Sequence, residues 1–289
     1  MLIRNYFKTF TTWSRMIKLE HTLFSLPFVL SSALLAIHYK HWVWQPMTFF
    51  WIILCLVGAR SAGMTLNRIF DAELDALNPR TKTREIPLGK ISKTQAWIFA
   101  VASLALLIYS SFQLPQLCQI LLPIALVWLL AYSWLKRVTW LCHLFLGMTL
   151  GGATLGGWIA VTGAVDNLAP IYLALAVTFW VTGFDIFYAT QDREFDLSAR
   201  LHSIPARFGN AAAIKIARTS HLLTPVFLYL CGEELGLGLW YKFGILFTIA
   251  ALYYEQKLVK ENKVEAAFFT INSWISVVIM VFVILELSV

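Results

Sequence analysis

Residues 67–75, "NRIFDAELD", and residues 188–196, "YATQDREFD", share one arrangement: Asp-x-Glu-x-Asp, with a polar residue four positions upstream. On a continuous helix Asn67, Asp71 and Asp75 stand at i, i+4 and i+8, along one face. Tyr188, Asp192 and Asp196 repeat that spacing, and Asp185, three residues before Tyr188, falls on the same side. Glu73 and Glu194 point elsewhere and read as surface residues. Like charges at i, i+4 disfavour a bare helix, so a cation is needed to offset each stripe. Magnesium suits such a place, because it takes hard oxygen ligands from a few carboxylates, retained waters and substrate phosphates. Two facing stripes would hold two or more ions bridged by a diphosphate. Solvated helix ends paired with nearby Arg and Lys account for either cluster alone; two clusters at matching spacing favour a shared site.

Basic residues complete that chemistry. Arg80, Lys82 and Arg84 follow the first stripe directly, and Lys136-Arg137 closes an apolar run. Guanidinium groups match phosphate oxygens through paired hydrogen bonds, although membrane-side anchoring explains any one of these residues equally well. Arg193 beside the second stripe serves to neutralise it. Arg60 is different, lying seven residues before Asn67 and inside an apolar run. An ionisable residue within a membrane span marks a functional site by default, with Glu20 as the structural alternative. Lys18 and His21 are further candidates for substrate binding, with interfacial snorkelling as the plainer reading. Tyr188 is a candidate for cation–π stabilisation of a carbocation.

The elements that carry these residues are membrane helices. The chain has 289 residues, 59% hydrophobic and 13% charged, where soluble domains average about 25% charged. Runs long enough to cross about 30 Å of hydrocarbon occur near 20–38, 47–66, 96–113, 115–135, 141–163, 168–188, 211–230, 236–254 and 266–287. The expectation is an all-α, polytopic membrane protein of nine transmembrane helices, forming a single domain over residues 1–289. With the N-terminus inside, 20 of the 23 Lys and Arg lie in inner segments or the adjoining helix starts, Arg4, Lys8, Arg15 and Lys18 among them. Only Lys40 and Lys242 lie outside, and Arg60 is within the second span. This is the asymmetry of the positive-inside rule, so the net charge of +7 is topological. Basic residues dispersed among loops at one face give no support to nucleic-acid binding, and some of them suit anionic lipid.

No cleavable leader precedes the first span, which reads as an anchor. The four cysteines, Cys55, Cys118, Cys142 and Cys231, show no metal-binding spacing and read as packing residues. No feature calls for a protein partner.

These residues resemble the UbiA superfamily of intramembrane aromatic prenyltransferases over nearly the whole chain. The family's Asn-Asp-x-x-Asp-x-x-x-Asp is similar to Asn67, Asp71 and Asp75 here, with Arg68 in place of the first Asp. Its Arg-Thr-x-x-Arg-x-x-Pro-x-Gly is similar to Arg80 through Gly89, and its Arg-x-Ala-Gly to Arg60 through Gly63. "DIFYATQDREFD" is similar to the second acidic motif, and "YSWLKR" to the segment with the functional Lys-Arg pair. The resemblance implies nine helices around a central cavity and Mg²⁺-dependent use of a polyprenyl diphosphate with transfer to an aromatic acceptor. It implies metal binding by Asn67, Asp71, Asp75, Asp185, Asp192 and Asp196, with Asp71, Asp75, Asp192, Asp196 and Arg137 catalytic. Arg60, Lys18, His21, Arg80, Lys82, Arg84, Lys136 and Tyr188 would bind substrates. The branch that prenylates 4-hydroxybenzoate in ubiquinone synthesis is the most similar, while "KLEHTLFSLPF" also resembles relatives that prenylate a naphthoate for menaquinone.

Expected partners are therefore a polyprenyl diphosphate, an aromatic acid and the bilayer, in a bacterial inner membrane with the site on the cytoplasmic side. A secondary transporter is the rival from another class, but its acids tend to lie near the midplane at broken helices. The glycines at 147, 151, 152, 156 and 157 are read as close helix packing rather than such a break.

Overall fold

The computed structural model describes residues 11–261, 263–264 and 267–289. Arg4 and Lys8, counted above on the inner side, lie outside the described residues, as does Ala266 at the start of the last expected span. The elements are α1 (Thr22–Lys40), α2 (Pro46–Phe70), the short α3 (Ala72–Leu77), α4 (Lys93–Ser111), α5 (Gln116–Val138) and α6 (Cys142–Thr162). They continue with α7 (Ala169–Ala189), the short α8 (Arg193–Ser198), α9 (Ile204–Glu234), α10 (Leu239–Lys260) and α11 (Asn272–Leu287). Among the described residues there is no strand.

Every expected span falls on a helix. Among the described residues, six helical runs are long and apolar enough to cross a membrane: α2, α4, α5, α6, Ala169–Ser198 and Phe269–Leu287. Apolar side chains such as Ile98, Val101, Ile124 and Val127 point outward from α4 and α5, as lipid contact requires. The seventh expected span begins earlier than its apolar pattern, at Ile204, where the Ser203 side chain accepts from the Ala206 N–H. It then bends at Gly209, whose φ of 78° is one that glycine adopts readily.

α7 is the centre of the bundle, packed between α6 and α9, while α2 pairs with α4 and α11 returns against α1. Gly147 and Gly151 make the α6–α7 contact close: a Cβ on either would strike the α7 backbone or the hydroxyls of Thr178 and Thr182. Gly157 does the same against Val29 of α1, whereas Gly152 and Gly156 face open space. On the far side of α7 a buried polar chain ties four helices together. Trp180 Nε1 donates to Asn272 Oδ1 at 2.7 Å, Asn272 Nδ2 donates to Glu255 Oε1 at 3.1 Å, and His221 Nε2 lies 3.3 Å from Trp180 O.

Candidate active site

α2 does not run unbroken through the first stripe. It ends at Phe70, Asp71 sits at φ −90° and ψ 2°, and α3 resumes at Ala72. The i to i−4 bonding nevertheless carries across: Asp71 N donates to Asn67 O at 2.9 Å and Asp75 N to Asp71 O at 2.7 Å. The second stripe is built alike, with α7 passing through a 3₁₀ turn at Thr190–Asp192 into α8. Both stripes therefore keep a helical face while turning off the bundle axis.

A cavity of about 220 Å³ lies between them, at the end of the bundle where α2, α5 and α7 finish and α6 begins. Asn67, Asp71, Asp75, Asp185, Tyr188 and Asp192 line it, together with Arg80, Arg84, Lys136 and Arg137. Each acid has a partner. Arg80 binds Asp192 through two nitrogens, Nε to Oδ1 at 2.8 Å and Nη2 to Oδ2 at 2.5 Å. Arg84 Nη1 reaches both oxygens of Asp75, at 2.6 and 2.7 Å. Arg137 Nη2 lies 3.3 Å from Asp71 Oδ1 and donates to Phe70 O at 2.7 Å. Asn67 Nδ2 donates to the other Asp71 oxygen at 3.0 Å. Burial, and after it the charge of Asp75, holds the Asp71 carboxyl above the ordinary carboxylate range, against the pull of Arg137.

The loop between α3 and α4 closes one side. Asn78 does two jobs there, its Oδ1 accepting from Arg80 N at 2.9 Å and its Nδ2 donating to Asp192 Oδ1 at 3.3 Å. Arg80 Nη1 donates to the Tyr188 hydroxyl at 2.8 Å while its guanidinium sits 4.9 Å from the Tyr188 ring centroid. The ring proposed from sequence for a carbocation thus has a guanidinium over it in this structure.

The donor chemistry fits a hard divalent cation: four aspartates and two asparagines line one cavity. Among the described residues, however, no three His, Cys, Asp or Glu side chains converge at ligand spacing. Arginines occupy Asp71, Asp75 and Asp192 instead.

The model of the UbiA prenyltransferase family matches residues 25–278. The chain belongs to that family. It is therefore an enzyme of the prenyltransferase class. A 4-hydroxybenzoate octaprenyltransferase of Saccharophagus degradans is 29% identical over 246 residues, 84% of this chain and 81% of that protein. The apo structure of a UbiA homologue from Aeropyrum pernix K1 superposes with a TM-score of 0.85 at 31% identity, over 92% of this chain and 98% of that one. A UbiA homologue from Archaeoglobus fulgidus, solved bound to GPP and Mg²⁺, superposes with a TM-score of 0.69 at 18% identity, over 96% of this chain and 100% of that one. At that identity the likeness is one of fold.

Not every residue marked in the sequence of this UbiA-family enzyme reaches the cavity wall. Asp196 is fully buried behind it, 2.7 Å from Lys136 Nζ, and accepts from Ser203 Oγ at 2.8 Å. Arg60 is not part of the lining, and its buried Nε has no hydrogen-bond partner among the described residues. Lys18 pairs with Glu20 at 3.7 Å, and the His21 ring packs 5.0 Å from Phe24 and 5.7 Å from Phe269. Lys82 is exposed and away from the cavity lining. Arg68 turns off the site altogether, donating from Nε to Met16 O at 3.3 Å in a buried position. The wall also contains Asn78, Tyr132, Ser133 and His143, which sequence reasoning passed over, and Cys142, which it read as a packing residue. His143 alone carried a usable signal, a titratable residue seven positions after Lys136 at the start of a span on the charged side.

Proposed function

We propose that the chain transfers a polyprenyl group from its diphosphate to an aromatic acid, with 4-hydroxybenzoate as the acceptor. The observation that carries this is the cavity where two acidic stripes face four Arg and Lys side chains at one end of a membrane bundle. The name of the Saccharophagus relative supports the acceptor, and the GPP and Mg²⁺ bound to the Archaeoglobus homologue support a diphosphate and a metal.

In this reading Asn67, Asp71, Asp75, Asp185 and Asp192 hold Mg²⁺, with Asp196 bracing Lys136 behind them. Bound Mg²⁺ neutralises the diphosphate and stabilises the charge that collects on the leaving group. Arg80, Arg84 and Arg137 leave their carboxylates for the diphosphate oxygens, and Lys136, still held by Asp196, adds fixed positive potential beside them, with Lys82 at the rim. The allylic C–O bond breaks with its electron pair departing on the diphosphate. The ring carbon ortho to the acceptor's hydroxyl bonds to the prenyl carbon and then loses its proton. The wall around the cavity keeps out water, which would capture the cation, and the prenyl tail leaves sideways between helices into lipid. Nine transmembrane helices in one domain of residues 1–289 accompany this function. The cavity and the N-terminus then face the cytoplasm of a bacterial cell, as the one-sided Lys and Arg support.

An in vitro assay crossing 4-hydroxybenzoate and a dihydroxynaphthoate with diphosphates of several chain lengths, read by mass spectrometry, tests the assignment. Prenylated hydroxybenzoate is expected. Prenylated naphthoate alone would move the enzyme to menaquinone synthesis, and no prenylated product from either acceptor would end the proposal.

In the same reading Arg60, with Lys18 and His21, binds the acceptor's carboxylate, although none of the three lines the cavity. A hydrogen bond to a charged group contributes about 1.5–3 kcal/mol, so Arg60→Ala raises the acceptor KM about tenfold to a hundredfold. The donor KM stays near its original value. A shift in the donor KM without one in the acceptor KM would assign Arg60 to the diphosphate instead.

A further inference from the structure

His143 is the second residue of α6 and only 3% exposed. Its Nδ1 lies 2.7 Å from Asp185 Oδ2, and the backbone N–H of Ile204, at the start of α9, donates to its Nε2 at 3.3 Å. A backbone N–H can only donate, so Nε2 carries the lone pair. A ring proton then sits on Nδ1 and is donated to Asp185. Helix packing keeps the two side chains opposite each other. Gly147, one turn beyond His143, abuts Thr178 and Thr182, and Thr182 is three residues before Asp185.

This partner sets Asp185 apart from the other acids. Asp71, Asp75, Asp192 and Asp196 are paired with Arg137, Arg84, Arg80 and Lys136, each a full positive charge. Asp185 is held by an imidazole and stays 23% exposed where it lines the cavity.

We propose that His143 is the positioning residue of Asp185: it grips one carboxylate oxygen and so presents the other to an incoming divalent cation. The inference rests on the metal-and-diphosphate reading of the cavity given above.

Binding of Mn²⁺, followed by electron paramagnetic resonance on purified enzyme without diphosphate, tests it. Partners one layer behind a metal ligand typically change affinity about tenfold to a hundredfold when removed, and a loss of that size is expected for His143→Leu. The Mg²⁺ concentration for half-maximal transfer should rise by the same factor, with the donor KM at saturating Mg²⁺ little changed. His143→Asn, whose amide N–H takes the place of Nδ1–H, should restore most of the affinity. Equal Mn²⁺ affinity in wild type and His143→Leu overturns the inference and leaves the function proposed above standing. Wild-type enzyme that binds no Mn²⁺ here overturns it as well, and no Mn²⁺ binding even with diphosphate present defeats the metal reading itself. Should His143→Leu not fold, ¹⁵N spectra of histidine-labelled wild type decide the matter, with the signal assigned by its loss in His143→Asn. A proton on Nδ1 is expected, and a ring whose only proton sits on Nε2 overturns the proposal.

Discussion

Asp192→Ala lowers Mg²⁺-dependent turnover by about 10²–10³-fold or more, the range seen when one preorganised electrostatic group is removed from an active site. The variant inserts into the membrane and purifies like wild type. Asp192 joins the two halves of the cavity: Arg80 and Asn78 from the loop after α3 converge on its carboxylate, next to the hydroxyl of Tyr188. Removing it takes away one proposed metal ligand and also the anchor that parks Arg80 beside the diphosphate position. Asp192→Asn separates these roles. The amide still accepts a hydrogen bond from Arg80, so the loop stays in place, but the neutral group is a poor partner for a divalent cation. Both variants are therefore expected to fail in turnover, with only Asp192→Ala loosening the loop by hydrogen exchange. Turnover of purified Asp192→Ala within tenfold of wild type at saturating Mg²⁺ would remove this residue from the metal site.

Lys136→Met is expected to damage folding and turnover together. Asp196 has no exposure to solvent, and Lys136 Nζ at 2.7 Å is its cationic partner, with Ser203 Oγ on the other oxygen. Stripping the partner from a buried charge costs about 3–5 kcal/mol, and the lower end applies here because the Lys136 side chain is itself 36% exposed. The double variant Lys136→Met/Asp196→Asn has no buried charge left to compensate. Its thermal midpoint in detergent should recover toward wild type, while turnover stays low because a diphosphate-binding cation is still missing. An unchanged midpoint in Lys136→Met would contradict the bracing role of Asp196. Full turnover in the double variant would contradict the diphosphate role of Lys136.

Some of this was legible in the residues alone. Apolar runs located the helices because a span of hydrocarbon demands a fixed length of apolar chain. The i, i+4, i+8 spacing put Asn67, Asp71 and Asp75 on one face, and it survived the break at Asp71 because the backbone bonding continued through it. The concentration of Lys and Arg at one side located the end of the bundle where the cavity is found.

What a stripe faces is another matter, since periodicity defines a face within one helix and says nothing of that helix's rotation against its neighbours. Close approach at Gly147 and Gly151, set by side chains on two helices at once, decides that α6 brings His143 to Asp185. The same rotation puts Asp196 behind the wall and Asp185 on it, though both belong to one motif. Arg68, at the position where the family's first motif has an acid, turns to the carbonyl of Met16 and leaves the cavity to Asn67, Asp71 and Asp75. By itself, then, the sequence determined which residues carry charge, on which helices and at which end. Only the tertiary structure decided which cation meets which carboxylate, because pairing depends on distances between helices that no local spacing encodes.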